Sequence, residues 1–191
     1  MLERTLTGIK IGTRGRYIKV VAYADDVTIF VSSVTDFAAV EDALRLYEKA
    51  TGAKINPIKS KALAIGGWRA QDTVLGIPYH QCATILGINF WGTIQQTTND
   101  TWARITSKVR VQAQKAYNRE SSLAHRITYV QNCLLSRLWY AAQHLPVPKI
   151  YTQKLTAAVS WYIWKGMVFK VPMSTLQRPK NQGGMNMTDM Q

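Results

Sequence analysis

The sequence predicts an α+β protein with a β-rich first half and a helical second half. Two apolar runs rich in β-branched residues, 18–22 and 27–31, flank Tyr23-Ala24-Asp25-Asp26, and each has the length of a short strand. After residue 100, apolar residues recur at helical spacing as far as Trp164. With 191 residues, 47% of them hydrophobic, the chain can form one domain or two small ones with a real core.

The two apolar runs predict a tight β-hairpin that carries Asp25 and Asp26 at its tip. Neighbouring carboxylates repel each other, and a bound cation relieves that repulsion. Carboxylate oxygens suit Mg²⁺, which proteins commonly hold with one or two carboxylates and substrate phosphates. The hairpin therefore indicates metal-assisted phosphoryl or nucleotidyl transfer, with Mg²⁺ as cofactor and Mn²⁺ as its substitute. On the dipeptide alone, a solvated turn in which Asp makes local hydrogen bonds is the preferred interpretation.

The elements that flank the hairpin are predicted from turn and cap residues and from the spacing of apolar residues. Glycines around Ile9-Lys10-Ile11 favour turns about a brief strand. A helix is expected from about Thr35, its N-cap, to residue 50, with Gly52 as its stop. Its apolar stripe predicts packing against one face of the sheet, and consists of Phe37, Val40, Leu44 and Tyr47.

A lysine-containing loop follows this helix. Pro57 excludes a regular helix there, and the loop leads into a predicted strand at 62–65. Lys54, Lys59 and Lys61 fit a solvated edge. If Lys59 lies near the hairpin tip, it would instead neutralise charge on the leaving pyrophosphate of a nucleoside triphosphate, and the sequence leaves both interpretations open.

A second strand region is predicted between Gly76-Ile77-Pro78, a turn signal, and Trp91-Gly92. Residues 84–90 are expected to form one strand with a bulge or close backbone approach at Gly87. The polar stretch 95–100 then predicts the boundary between a first domain, 1–95, and a helical second domain, 96–191.

The second half is strongly basic. Of the net charge of +13, residues 101–191 contribute 13 Lys and Arg against two acidic residues, whereas residues 1–100 hold 11 basic and 9 acidic ones. Such a charge predicts a polyanionic partner, with nucleic acid preferred over an anionic membrane surface or a ribosomal neighbourhood. Lys108, Arg110 and Lys115 are the candidate phosphate contacts.

Three helices are expected in the basic half. The first starts near Trp102 with Asn99 or Asp100 as its cap, the second covers about 122–143, and the third covers about 151–164 and stops at Gly166. The aromatic cluster 161–164 fits a helical core better than a base-stacking platform. The chain is expected to be mostly loop from Phe169 onward.

Other chemistry is not indicated. His80, His125 and His144 share no metal-ligand spacing with each other or with the two cysteines, which suggest no disulfide framework. The chain has no apolar run of membrane-spanning length and no signal-peptide pattern at its start. We therefore expect an intracellular protein, nuclear or cytoplasmic, without a membrane partner.

Four features resemble the reverse transcriptases of non-LTR (LINE-type) retrotransposons, and they occur in the order that this family shows. The first two are the Tyr-Ala-Asp-Asp hairpin and the helix that ends in Thr-Gly-Ala-Lys-Ile-Asn-Pro before Lys-Ser-Lys. The third is Leu86-Gly87-Ile88, which is similar to a primer-grip strand. The fourth is the basic helical half, which resembles the thumb.

This resemblance implies part of a right-hand polymerase: the palm hairpin, strands and covering helix, followed by an α-helical thumb. It implies RNA-templated DNA synthesis, with an RNA template, a DNA primer and deoxynucleoside triphosphates as partners. Asp25 and Asp26 would be catalytic metal ligands, and Lys59 would approach the triphosphate. Tyr23, Leu86 and Gly87 would contact primer or template, and the thumb would hold the duplex by its backbone.

The family places fingers and another metal-binding Asp well before this hairpin, whereas the acidic residue that precedes Asp25 here is Glu3. The resemblance thus leads us to expect a C-terminal palm-and-thumb fragment, inactive alone because its metal site is incomplete. Two other functions stay open: a non-catalytic nucleic-acid-binding helical module with an idle Asp-Asp turn, and a retroelement relic without function.

Overall fold

In a computed structural model of the chain, the described residues are 6–11, 15–24, 26–68, 73–119, 121–166 and 171–189. The chain divides into two compact units, Met1–Thr93 and Ile94–Gln191. Within the described residues, every strand lies in the first unit, and helices make up most of the second. The predicted α+β class is therefore confirmed.

The described strands of the first unit form four small sheets. Three of them are hairpins of two strands: β1 (Ile9–Ile11) with β2 (Arg16–Ile18), β3 (Val20–Tyr23) with β4 (Asp26–Ile29), and β8 (Cys82–Ile85) with β9 (Ile88–Trp91). The fourth has three strands, with β7 (Ile77–His80) between β5 (Ala62–Leu63) and β6 (Thr73–Val74). The β5–β7 ladder is parallel and the other four are antiparallel. These residues do not form one continuous sheet, and a polymerase palm stays a prediction.

The prediction of a single strand over residues 84–90 is wrong. The chain turns back at Leu86-Gly87, so that Ile85 pairs with Ile88 in an antiparallel hairpin. Leu86 and Gly87 have φ values of +47° and +80°, the left-handed conformation at both loop positions that a tight type I′ turn requires. Gly87 therefore belongs to a turn and not to a bulge.

Helix α1 (Val34–Thr51) begins one residue before the predicted start and ends one residue after the predicted end. Its N-cap is Ser33 and not Thr35, because Ser33 forms a capping box with Asp36. Gly52 ends the helix in the left-handed conformation at φ +71°, as predicted.

The apolar stripe of α1 packs at its N-terminal end. Val40 is 4% exposed, and Phe37 contacts Trp68 edge-on with ring centroids 6.0 Å apart. Tyr47, by contrast, is 56% exposed, so the predicted packing does not extend along the whole helix.

The second unit is helical and has a dense apolar core. Its helices are α2 (Ile94–Tyr117), α3 (Leu123–Tyr129), a π-helical segment (Val130–Leu135), α4 (Ser136–His144), α5 (Lys149–Ile163) and α6 (Met173–Gln177). Trp102 is fully buried in α2, and its indole N–H donates to the carbonyl oxygen of Pro146 at 2.8 Å. The second predicted helix is present over 123–144, with the π-helical segment in its middle.

Helix α2 runs through the polar stretch 95–100, where the sequence predicted a boundary between 1–95 and 96–191, and the two compact units divide nearby, between Thr93 and Ile94. The helix starts at Ile94, eight residues before the expected start at Trp102. Thr97, Thr98 and Thr101 are buried on its inner face. The composition of this stretch does not reveal the helix, because short β-branched polar residues fit both loops and the inner faces of helices.

The last part of the chain contains short helices as well as loop. Helix α6 is followed by a 3₁₀ turn, Lys180–Gln182, and then by residues without regular structure up to 189. Met185 and Met187 each donate a backbone hydrogen bond to the carbonyl oxygen of Leu176 at 3.0 Å. The predicted tail is therefore more structured than expected, and Phe169 lies outside the described residues.

Candidate functional site

The predicted hairpin around the two aspartates is confirmed by the β3–β4 ladder. Val20 pairs with Ile29, and the pairing continues to Tyr23 opposite Asp26. Ala24 has φ +50°, a conformation that a two-residue hairpin loop favours. Asp25 itself lies outside the described residues. We call residues 20–29 the Asp-Asp hairpin.

The tip of the Asp-Asp hairpin is open to solvent. Tyr23 is 67% exposed, Val27 is 60% exposed, and Asp26 is exposed. A cation and a substrate can therefore reach Asp26 without displacing protein. The same exposure also fits the simpler solvated turn.

The donor set at the tip is consistent with Mg²⁺. Within the described residues, no three His, Cys, Asp or Glu side chains form a group that could hold a metal ion, and Asp25 falls outside that part. Asp26 and the sequence-adjacent Asp25 offer hard carboxylate oxygens, and Mg²⁺ usually completes its shell with waters and substrate phosphates. Two carboxylates with a bound triphosphate would fit this pattern.

A buried carboxylate, Asp36, fixes the chain where it leaves the hairpin. Asp36 is 3% exposed. Its Oδ2 accepts hydrogen bonds from the backbone N–H groups of Ser32 and Ser33 at 3.0 and 3.2 Å, and its Oδ1 accepts two from Thr7 at 3.2 Å. Burial alone would raise the pKa of Asp36, but these hydrogen bonds outweigh burial and hold the pKa below its usual value.

Replacing Asp36 with Asn is expected to destabilise the first unit by about 2–3 kcal/mol, because an amide N–H₂ would face the buried N–H donors. Since the folded pKa is lowered, the carboxylate's contribution is present above its unfolded pKa and is lost as pH falls through the folded pKa. Urea unfolding at several pH values, with exposed Asp42→Asn as the control, measures both effects. Equal stability of the two variants at pH 7 would contradict the anchoring role.

Lys59 is exposed in the loop after α1. The hydrogen bonds described for it are made by its backbone N–H, which donates to the backbone and side-chain oxygens of Asn56. These bonds form a turn around Pro57 and leave the ammonium group to solvent. Its predicted approach to a triphosphate stays a prediction.

Leu86 and Gly87 occupy a hairpin tip and not the strand that the primer-grip resemblance implied. Leu86 is 46% exposed, and a Cβ added to Gly87 would meet nothing within 4 Å. The predicted contact of these two residues with a primer stays a prediction, and it would come from a turn and not from a strand face.

Lys108, Arg110 and Lys115 are all exposed on α2, but they do not share one face. At about 100° a residue, Lys108 and Lys115 lie on the same side of the helix, whereas Arg110 lies about 200° further round than Lys108. Arg104 shares the face of the two lysines, and its i, i+4 spacing to Lys108 could have identified it from the sequence. We call Arg104, Lys108 and Lys115 the basic face of α2.

Comparison with known proteins does not identify a family for this chain, so its function is inferred from its residues. No family model matches the chain, and no curated protein sequence matches it. Among the helices of the described residues, none combines the length and apolar character needed to cross a lipid bilayer.

Proposed function

We propose that the chain supplies the metal-binding hairpin and the duplex-holding helical unit of an RNA-directed DNA polymerase of the retrotransposon type. The observation that carries this proposal is the register of the Asp-Asp hairpin. Pairing of Tyr23 with Asp26 puts the Asp26 carboxylate on the last paired residue, next in sequence to Asp25. Two apolar strands thus present the Asp26 carboxylate at an exposed tip.

In this proposal each part has a separate task. Asp25 and Asp26 bind Mg²⁺, which when bound neutralises phosphate charge and orients the reacting oxygens. Lys59 offers a positive charge to the triphosphate, and the exposed Leu86-Gly87 turn supports the primer. The basic face of α2 contacts phosphates without reading the sequence, as a polymerase requires. Template, primer and nucleotides of this kind are found in the nucleus and cytoplasm.

A second candidate function is a nucleic-acid-binding module without catalysis. The charge of the second unit favours it, since residues 94–191 contain 13 Lys and Arg and 3 Asp and Glu. This function requires nothing of the Asp-Asp hairpin, which would then be a solvated turn. A relic that has lost both activities would bind neither duplex nor nucleotide.

Ternary-complex formation separates these functions. A labelled RNA template carrying a DNA primer with a dideoxy end is titrated with the chain in Mg²⁺, with and without the next complementary deoxynucleoside triphosphate. The incomplete metal site is expected to prevent extension by this chain alone, but two carboxylates and a triphosphate are a common set of Mg²⁺ ligands. We therefore expect the complementary nucleotide to tighten duplex binding about tenfold in the wild type. Asp25→Asn and Asp26→Asn should abolish that effect, whereas Asp42→Asn, on exposed helix surface, should retain it.

A further inference from the structure

The C-terminal end of α5 carries an exposed aromatic pair. Trp161 stacks on Tyr117 of α2, with ring centroids 4.4 Å apart and an interplanar angle of 18°. Trp161 is 39% exposed, whereas Tyr162, Ile163 and Trp164 are at most 7% exposed. Of residues 161–164, Tyr162, Ile163 and Trp164 therefore belong to the core, whereas Trp161 is accessible at the surface.

Lys165 adopts a strained conformation that brings its ammonium group to this pair. It follows α5 at φ +54°, and Gly166 donates its N–H to the carbonyl oxygen of Trp161 at 3.1 Å, which is the pattern of a Schellman motif. Glycine is the usual residue at this position of a Schellman motif, because any other residue in the left-handed conformation destabilises the folded state by about 1 kcal/mol. The ammonium nitrogen lies 4.9 Å from the ring centroid of Tyr117 and donates to the carbonyl oxygen of Arg119 at 2.9 Å.

Two arginines make contacts at the same helix end. The Arg126 side chain donates to the carbonyl oxygen of Ile163, while its buried Nε has no hydrogen-bond partner in the described structure, and the carbonyl oxygen of Arg119 accepts the hydrogen bond from Lys165. Burial raises the pKa of the Tyr162 phenol, and the positive charges of Arg119 and Arg126 oppose that rise.

We propose that Tyr117, Arg119, Trp161 and Lys165, the aromatic–cation cluster, bind an unpaired nucleotide of single-stranded nucleic acid. The base stacks on the exposed part of the Trp161 ring, and Arg119 and Lys165 bind the flanking phosphates. Flat aromatic surface next to cations is the general arrangement of single-strand sites. The inference rests on the proposed function in taking nucleic acid as the polyanion, and it adds a site for the unpaired strand that is separate from the basic face of α2.

The first test compares two exposed tryptophans. Binding of fluorescein-labelled U₂₀ RNA and dT₂₀ DNA is measured by anisotropy for the wild type, Trp161→Leu and Trp139→Leu. Trp139 is 43% exposed on α4 and is therefore a matched control. Trp161→Leu should weaken binding between about fivefold and one-hundredfold, and Trp139→Leu by less than about twofold. Trp161→Phe, which retains a stacking ring, should recover most of the affinity.

The second test uses the strain at Lys165. Lys165→Gly relieves the left-handed backbone, so its melting temperature should equal or exceed that of the wild type, while single-strand binding falls and the salt slope decreases by about 0.7. Lys154→Gln, which removes a cation from the middle of α5, should change single-strand binding by less than about twofold.

The outcomes separate this inference from the proposed function. Unchanged U₂₀ and dT₂₀ binding in both Trp161→Leu and Lys165→Gly, with duplex binding intact, would overturn the aromatic–cation cluster alone. Absence of both single-strand and duplex binding in the wild type would overturn the proposed function as well.

Discussion

Binding of an RNA–DNA duplex to the chain is expected to weaken about a thousandfold between about 50 and 200 mM salt, the loss typical of six or more phosphate contacts. The physical reason is the excess of Lys and Arg in the second unit, which displaces condensed counterions from the duplex. Fluorescence anisotropy at four or five salt concentrations gives the slope of log K against log salt. An affinity that is flat over this range would contradict a nucleic-acid role for the basic unit.

The faces of α2 allow this prediction to be refined. Lys108→Gln and Lys115→Gln should each reduce the slope by about 0.9, and the double variant by about twice as much, because both residues lie on the basic face. Arg110→Gln is the matched control, since it removes the same charge from another side of the same helix. Equal losses for all three variants would show that the duplex does not select the basic face.

Asp25→Ala and Asp26→Ala are each expected to reduce the rate of primer extension at least about a thousandfold in a longer polymerase chain that contains this segment. Loss of a metal ligand removes several kcal/mol of charge stabilisation from the transition state. Single-nucleotide incorporation on an RNA template in Mg²⁺ measures the rate. Duplex affinity should change by less than about twofold, because the phosphate contacts assigned here lie in the second unit.

Asp42→Ala controls for the removal of a carboxylate from the first unit, and it should extend the primer at the wild-type rate. If Asp26→Ala extends the primer at the wild-type rate, the Asp-Asp hairpin is a solvated turn without a catalytic role.

The hairpin was predictable because its signals are local. Two β-branched runs and a two-residue loop specify both the strands and the position of Asp26, and no distant contact is needed to form them. The end of α1 at Gly52 was predictable for the same reason, since a left-handed glycine terminates a helix by itself.

The second hairpin was missed because its loop signal was incomplete. Leu86 takes a left-handed conformation that the sequence does not suggest for a branched apolar residue, so Gly87 alone was interpreted as a bulge. The start of α2 was missed for a different reason. Thr97, Thr98 and Thr101 resemble a linker in composition, and their burial depends on tertiary packing.

Contacts between distant residues account for the rest of what the sequence did not predict. Thr7 and Asp36 are 29 residues apart in the sequence, and their hydrogen bond in the folded chain is what identifies the Asp36 carboxylate as an anchor. Lys165 and Arg119 are separated by 46 residues, so the hydrogen bond from the Lys165 ammonium to the carbonyl oxygen of Arg119 has no local signature. The positive charge of the second half predicted a polyanion, and helical periodicity in the sequence already places Arg104, Lys108 and Lys115 on one side of α2.

The ternary-complex measurement tests the central claim most directly. The claim is that Asp25 and Asp26 together hold a divalent cation for an incoming nucleotide. The predicted result is tighter binding of the dideoxy-terminated primer–template when Mg²⁺ and the complementary nucleotide are both present, about tenfold in the wild type and in Asp42→Asn, and no tightening in Asp25→Asn or Asp26→Asn. Duplex binding that ignores the nucleotide in all four proteins would contradict the claim and would favour the non-catalytic nucleic-acid-binding module.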